Sequence, residues 1–236
     1  MDSRSKIVLP IVALFFLALA LPVQADLAAE QRAKIENASV VLRNALDRPE
    51  RIPKEIIENA YGVAVIPGVV KAAFLAGGRY GDGVLVVRTD KDSWSSPAFV
   101  SITGASVGAQ AGVEVSDLIL VFNTEKAVDA LEDGKINLGA DIALVAGPLG
   151  GKGEWKGDVT PNVDVYAYSK NERGAFAGIS LTGSIVQFDD SANASYYGRE
   201  GITPVMVFAI VPETEPKVKN DFTCILAKIT GAKPTC

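Results

Sequence analysis

An α+β domain with a mainly antiparallel, strongly bent, glycine-rich sheet is what this sequence predicts, with helices at its N-terminal end and a short helix near its C-terminus. Three observations lead there. Apolar residues recur at helical spacing before Pro49. From Gly62 the pattern changes to short β-branched runs. Glycines then cut those runs at close intervals, at Gly77, Gly78, Gly81, Gly83, Gly104, Gly108 and Gly112. Glycine weakens strand interiors but permits bulges and close backbone approach, so the sheet is bent and can curl into a barrel. Helices first, then many strands around one inserted helix, indicate α+β architecture.

The first 25 residues stand apart from the fold. Arg4 and Lys6 precede an apolar run from Ile7 to Leu21, and Val23-Gln24-Ala25 suits cleavage before Asp26. This pattern predicts a secretory signal peptide over 1–25, with the run too short for a spanning helix. It predicts a periplasmic or secreted protein whose residues 26–236 form a single domain.

Asp26 to Asp47 reads as an amphipathic helix, with Ile35, Ala38, Leu42 and Ala45 on one stripe and Glu30 and Lys34 as an i,i+4 pair. Its stripe is mostly alanine and its polar face is mixed in charge, so packing on its own domain is expected rather than lying on a membrane. A second short helix begins at Pro53 and carries Ile56, Ile57 and Ala60. Short strands are expected at Val63–Ile66, Val84–Arg88, Ala98–Ile102 and Leu118–Phe122. Thr124 caps a helix to Glu132. Further strands are expected at Asn137–Ala146, Val163–Tyr168, Ala177–Val186 and Val205–Val211. Between the last two, Asp189–Asp190 caps a helix toward Tyr197, and Lys217–Ile229 forms the closing helix.

Composition excludes much chemistry. The chain has 236 residues and no histidine, which removes the commonest general base and metal ligand. Ser-His-Asp and Cys-His catalysis are excluded within it. No EF-hand spacing occurs, and a zinc site would need carboxylates and two cysteines alone. Neither metal nor cofactor is implied. Without Asp2, Arg4 and Lys6 the charge balance is 21 basic against 27 acidic residues, a net of −6. Such a chain is a poor nucleic-acid binder and a weak candidate for electrostatic attachment to anionic lipid.

Two glycine segments fail as phosphate loops. Gly78-Arg-Tyr-Gly81-Asp-Gly83 has reversed dinucleotide spacing, and Gly147-Pro-Leu-Gly-Gly-Lys152 has Gly153 where a P-loop needs Ser or Thr. Both read as turns. Cys224 and Cys236 suit an intramolecular disulfide in an exported chain, worth roughly 3 kcal/mol, with free thiols or pairing to another chain as the alternatives. Trp94, Tyr196 and Tyr197 either line an apolar pocket or rim, or pack in the core.

The residues from about Ala60 to Gly198 resemble the SYLF family, in its exported bacterial branch. The resemblance is carried by Gly81-Asp-Gly83, Trp94-Ser-Ser-Pro97-Ala-Phe99, Gly104 to Gly112 with Gln110, and Val115-Ser-Asp117-Leu. It continues through Leu138-Gly-Ala-Asp141, Ala146-Gly147-Pro148, Tyr168-Ser169, Gly174-Ala-Phe176-Ala-Gly178 and Asn193 to Tyr196-Tyr197-Gly198. Two departures are Gly151, where members carry a basic residue before Lys152, and a loop from Ser169 to Gly174 that is one residue longer than usual in the family. The segment with both cysteines falls outside the matched stretch.

The resemblance implies lipid binding, notably of phosphoinositides, and in eukaryotic members association with membranes and actin. An exported bacterial chain would not meet actin, so a phospholipid or other amphiphile at a membrane surface is the expected partner. Lys71, Arg79, Arg88, Lys170 and Arg173 are the head-group candidates, as cations beside glycine turns. Trp94, Phe176, Tyr196 and Tyr197 are the apolar contact candidates. The expected role is a non-catalytic lipid- or membrane-binding module. Its alternatives are a cell-envelope interaction protein without lipid, and an enzyme using carboxylates or serines.

Overall fold

The structure is a computed structural model and describes residues 27–47, 52–90, 93–147, 163–171, 176–177, 181–210 and 221–232. The expected leader, 1–25, lies outside these residues. Helix α1 spans 27–46 and buries Ile35, Ala38, Leu42 and Ala45, the stripe its spacing predicts. It packs on its own domain. Helix α2 (Lys54–Glu58) starts one residue later than expected, with Pro53 as the residue before its first turn.

The largest departure from the sequence reading is in the sheet. The four expected short strands are two long ones, β1 (Gly62–Asp90) and β3 (Ala98–Phe122), joined through β2 (Ser93–Trp94). They pair antiparallel from Gly62↔Phe122 to Leu85↔Ala98, with register shifts between Ile66 and Val69 and between Ala73 and Leu75. The segment Gly78–Gly83, read as a turn, is continuous strand opposite Val100–Ala105. The glycines act as bends within the ribbon rather than as its ends. A Cβ on Gly83 would strike the Val65 carbonyl oxygen and sit 2.7 Å from the Ile66 Cα. One on Gly77 would strike the Ala72 carbonyl oxygen. The ribbon therefore doubles back near Ala73–Gly77, and at Gly81 and Gly83 the second half lies directly against Val65, Ile66 and Val69 of the first. Its ends meet again where the Arg88 amide donates to the Tyr61 carbonyl at 2.7 Å.

Each half of the ribbon recruits further strands. Ser116–Phe122 of β3 pairs with β6 (Val165–Asn171), which pairs in parallel with β5 (Leu144–Ala146) and antiparallel with β7 (Phe176–Ala177). Val100–Gly104 of β3 pairs with β8 (Ser184–Phe188), which pairs with β4 (Lys135–Asn137). The result is a strongly curled half-barrel, antiparallel except for β5 on β6. Asn137–Ala146, expected as one strand, is split because Gly139 (φ 81°) turns the chain between β4 and β5. Ala177–Val186 is likewise divided between β7 and β8, with a turn at Gly183 (φ 80°).

Successive residues along the strands bury on opposite faces. Val63, Val65, Val84, Val86, Ile119 and Val121 face a core shared with α1, α2 and α6 (Asp221–Thr230). Ala64, Ile66, Leu85, Val87, Leu118 and Leu120 face a second core with α3 (Glu125–Glu132) and α5 (Pro204–Phe208). Both faces are covered, so the strands read as unbroken apolar runs.

Caps locate the helices. The Thr124 and Asp189 side chains accept from the Ala127 and Ala192 amides at the starts of α3 and α4 (Asp190–Tyr197), as expected. Val205–Val211, expected as a strand, instead contains most of α5. Thr203 caps that helix and Pro204 occupies its first position, a start signal that outweighs the β-rich composition of the run. Cys224 is buried on α6 and is not a free thiol. Cys236 lies outside the described residues. Among the described residues no helix is long and apolar enough to cross a membrane, and no group of acidic or cysteine side chains could hold a metal ion.

Candidate functional site

Doubling of the ribbon creates an apex. Ala72–Gly78 of β1 and Gly104–Val113 of β3 form it, and these stretches contain no Asp, Glu, Lys or Arg. Register places Val70 and Ala72 on the same face as Val113 and Val115, and Gly78 and Tyr80 on the same face as Thr103 and Ala105. These faces meet solvent: Val113 is 73% exposed, Tyr80 55% and Val70 42%. Exposed apolar side chains at Val70, Tyr80 and Val113, close together on the ribbon, are the feature that calls for a partner.

The candidate cations do not share a single surface. Lys71 stands opposite Glu114 on the apex flank, and Lys170 stands opposite Asp117. Arg79 is buried, and its Nη1 donates to Ser184 Oγ at 2.9 Å. Burial lowers its pKa, partly offset by the charge of Glu114. Arg88 lies at the opposite end of the ribbon. Its Nε donates to the Ala60 carbonyl at 3.0 Å and its Nη2 to the Glu58 carbonyl at 3.1 Å, while the guanidinium stacks over Trp94 at 4.7 Å. It closes the last turn of α2, whose carbonyls lack partners within the helix. Arg88 thus clamps the end of α2 and also lines the larger cleft described below. Arg173 lies outside the described residues.

The aromatic candidates separate in the same way. Trp94 is 1% exposed, and its Nε1 donates to Thr230 Oγ1 at 3.4 Å, so it joins α6 to the sheet as core. Tyr196 makes edge-on contacts with Phe99 (5.1 Å) and Tyr197 (5.0 Å). The Tyr197 hydroxyl donates to the Pro97 carbonyl at 2.7 Å. Phe176 lies in β7 opposite Lys170. Trp94 thus packs in the core, while Tyr196 and Tyr197 are half-buried beside Phe99.

Two clefts were not foreseen. A small one of about 260 Å³ lies beside the apex, between Lys34 and Asn37 of α1 and Val70, Tyr80 and Asp82 of β1. The Tyr80 hydroxyl donates to Asp82 at 2.7 Å, and that bond raises the Tyr80 pKa to about 12, with burial and the Asp82 and Asp189 charges adding to it. Lys34 also pairs with Glu30 at 3.3 Å. The larger cleft, about 1150 Å³, opens where the ribbon ends meet. Its wall carries Glu58, Glu125, Asp129 and Glu132, a poor match to a phosphate head group despite its size. Neither cleft has a sequence signature, because each joins residues of separate elements.

The model of the Ysc84 family, described as "Las17-binding protein actin regulator", matches residues 103–228. The match includes Cys224 and most of α6, so the family region extends beyond the Gly198 limit drawn from motifs. LAS seventeen-binding protein 3 of Saccharomyces cerevisiae is 32% identical over 219 residues, covering 91% of this chain and 47% of its own length. SH3 domain-containing YSC84-like protein 1 of Xenopus laevis is 38% identical over 186 residues, 77% of this chain and 54% of that protein. The Rattus norvegicus protein of that name is 34% identical over 214 residues, 89% of this chain and 61% of that protein. The chain spans about half the length of the curated relatives it matches. With over half of its residues matched by the family model and nearly its whole length aligned to the yeast relative, this chain belongs to the Ysc84 (SYLF) family.

Proposed function

We propose that this protein is a periplasmic, non-catalytic lipid- or membrane-binding module. The observation that carries the reading is the exposed apolar surface of Val70, Tyr80 and Val113 on the doubled ribbon. Surfaces of that kind mark contact with a membrane or another protein. The absence of histidine and the names of the relatives, which are those of binding proteins, support a role without catalysis. Export rests on the leader pattern of residues 1–25. The same reading treats 26–236 as one domain and pairs Cys224 with Cys236, which suits the buried, non-free state of Cys224.

Native mass spectrometry of the processed chain from its source cells, with lipid extraction alongside, tests this. A phospholipid or other amphiphile recovered at defined stoichiometry supports the module. An apo mass together with no binding to any vesicle overturns it.

The second reading is a protein-interaction role without lipid. Its support is the Las17-binding description of the family and the acidic cleft at the far end of the ribbon. One protein recovered in stoichiometric amount from envelope extracts, without lipid, would favour it.

A further inference from the structure

The larger cleft has an anionic side and an apolar side. Helix α3 lines it with Glu125, Val128, Asp129 and Glu132, the i, i+3, i+4 and i+7 positions of a single helical face. Helix α5 lines it with Val205 and Phe208, and Tyr61 adds its ring. Val205 is 49% exposed and Tyr61 42%, so apolar surface stands open beside the carboxylates. The cations nearby are already engaged. Lys126 of α3 lies 3.8 Å from Asp164, Lys54 pairs with Glu58 at 2.7 Å, and Arg88 is held by the carbonyls of Glu58 and Ala60. Among the described residues no cation forms an ion pair with Glu125, Asp129 or Glu132. Like charges three and four residues apart oppose the helix that carries them, and Glu132 stands in the last turn, where the helix dipole disfavours an anion. A cationic occupant relieves both. The volume, about 1150 Å³, exceeds the range of about 300–1,000 Å³ usual for small-molecule sites and suits a stretch of polypeptide.

We propose that this cleft is a docking groove for a cationic amphipathic helix of a partner protein. Lysines or arginines of that helix lie against Glu125, Asp129 and Glu132, and its apolar residues lie against Tyr61, Val205 and Phe208. This rests on the protein-interaction reading above, to which it gives a surface and a partner chemistry. It does not depend on lipid binding.

Fluorescence anisotropy of the processed chain with a labelled leucine–lysine peptide about 14 residues long, its lysines on one helical face, tests it. Binding that weakens as salt is raised is expected. The same peptide with glutamate for lysine, and a lysine-only peptide, should each bind about tenfold or more weakly. Asp129→Lys and Tyr61→Ser should each cost about tenfold. Asp129→Asn and Glu132→Gln keep the side-chain shape and should each cost about threefold. Glu36→Lys makes the same charge change on the exposed face of α1 and should bind as the parent does. Thermal melting verifies that each variant is folded.

No binding by the parent overturns the groove, as do equal binding of the lysine-only peptide, full binding by Asp129→Asn and Glu132→Gln, or an equal loss in Glu36→Lys. Recovery of a partner from envelope extracts separates the groove from the reading beneath it. A protein held by the parent and lost by Asp129→Lys supports both. One held equally by the two keeps the interaction reading and removes the groove from it. No protein held by either overturns the interaction reading itself.

Discussion

Asp164 shows how one carboxylate ties separate segments together. Its Oδ1 accepts from the Thr124 hydroxyl at 2.9 Å, its Oδ2 accepts from the Ala143 amide at 2.7 Å, and Lys126 stands 3.8 Å away. Burial alone would raise its pKa, but the amide, hydroxyl and ammonium outweigh it and hold the carboxyl below the usual range. A carboxyl depressed in the folded state stabilises above its unfolded pKa, near 4, and loses that contribution as pH falls through the folded value. Asp164→Asn should therefore melt lower than the parent at neutral pH, and the two melting curves should converge below about pH 4. A constant gap between them across that range would refute the assignment. Spacing marked Thr124 as a cap but could not mark Asp164, whose partners come from the start of α3 and from the segment before β5.

At the scale of elements, Asn193 explains a motif residue that resemblance alone left without a role. Its Oδ1 accepts from the Phe99 amide at 3.0 Å, and its Nδ2 donates to the carbonyls of Phe99 and Asp189, both at 2.8 Å. The side chain is fully buried, and it pins α4 to the start of β3. Asn193→Leu strips these bonds and leaves the buried Phe99 amide without its acceptor, so a loss of about 3 kcal/mol is expected in urea unfolding. A change under about 1 kcal/mol would mean that water replaces the amide. The helices were legible because their signals are local: a stripe in α1, and caps at Thr124 and Asp189. Helix α5 was misread because an apolar run of five to seven residues suits either a strand or a helix. There the cap at Thr203 and Pro204 were the better evidence.

At the scale of the whole molecule, the doubled ribbon organises everything else. It brings Gly83 against Val65 and Ile66 and joins Tyr61 to Arg88. Gly83→Val should cost about 3 kcal/mol or prevent folding, since the new side chain meets backbone that cannot yield. Gly112→Ala, with nothing within 4 Å of the added carbon, should be neutral or stabilising by about 0.5 kcal/mol. Urea midpoints of the two variants measure the contrast. Equal effects would show that strand propensity, rather than close approach, sets the glycine positions.

The α+β class, the N-terminal helices, the caps at Thr124 and Asp189, the bent glycine-rich sheet and the family were all written in residue order, because those signals act over a few positions. The extent of the strands was not, since glycines that look like strand ends become bends only when a partner strand lies alongside. Nor were the fates of the candidate contacts. Arg88 and Trp94 carry the chemistry of a binding site, yet α2 and α6 claim them for the fold. Lys34 and Tyr80, far apart in sequence and unremarkable alone, meet in one cleft because the ribbon folds back under α1. Which polar group is engaged and which is exposed depends on neighbours brought from a distance, and only the packed chain assigns those neighbours.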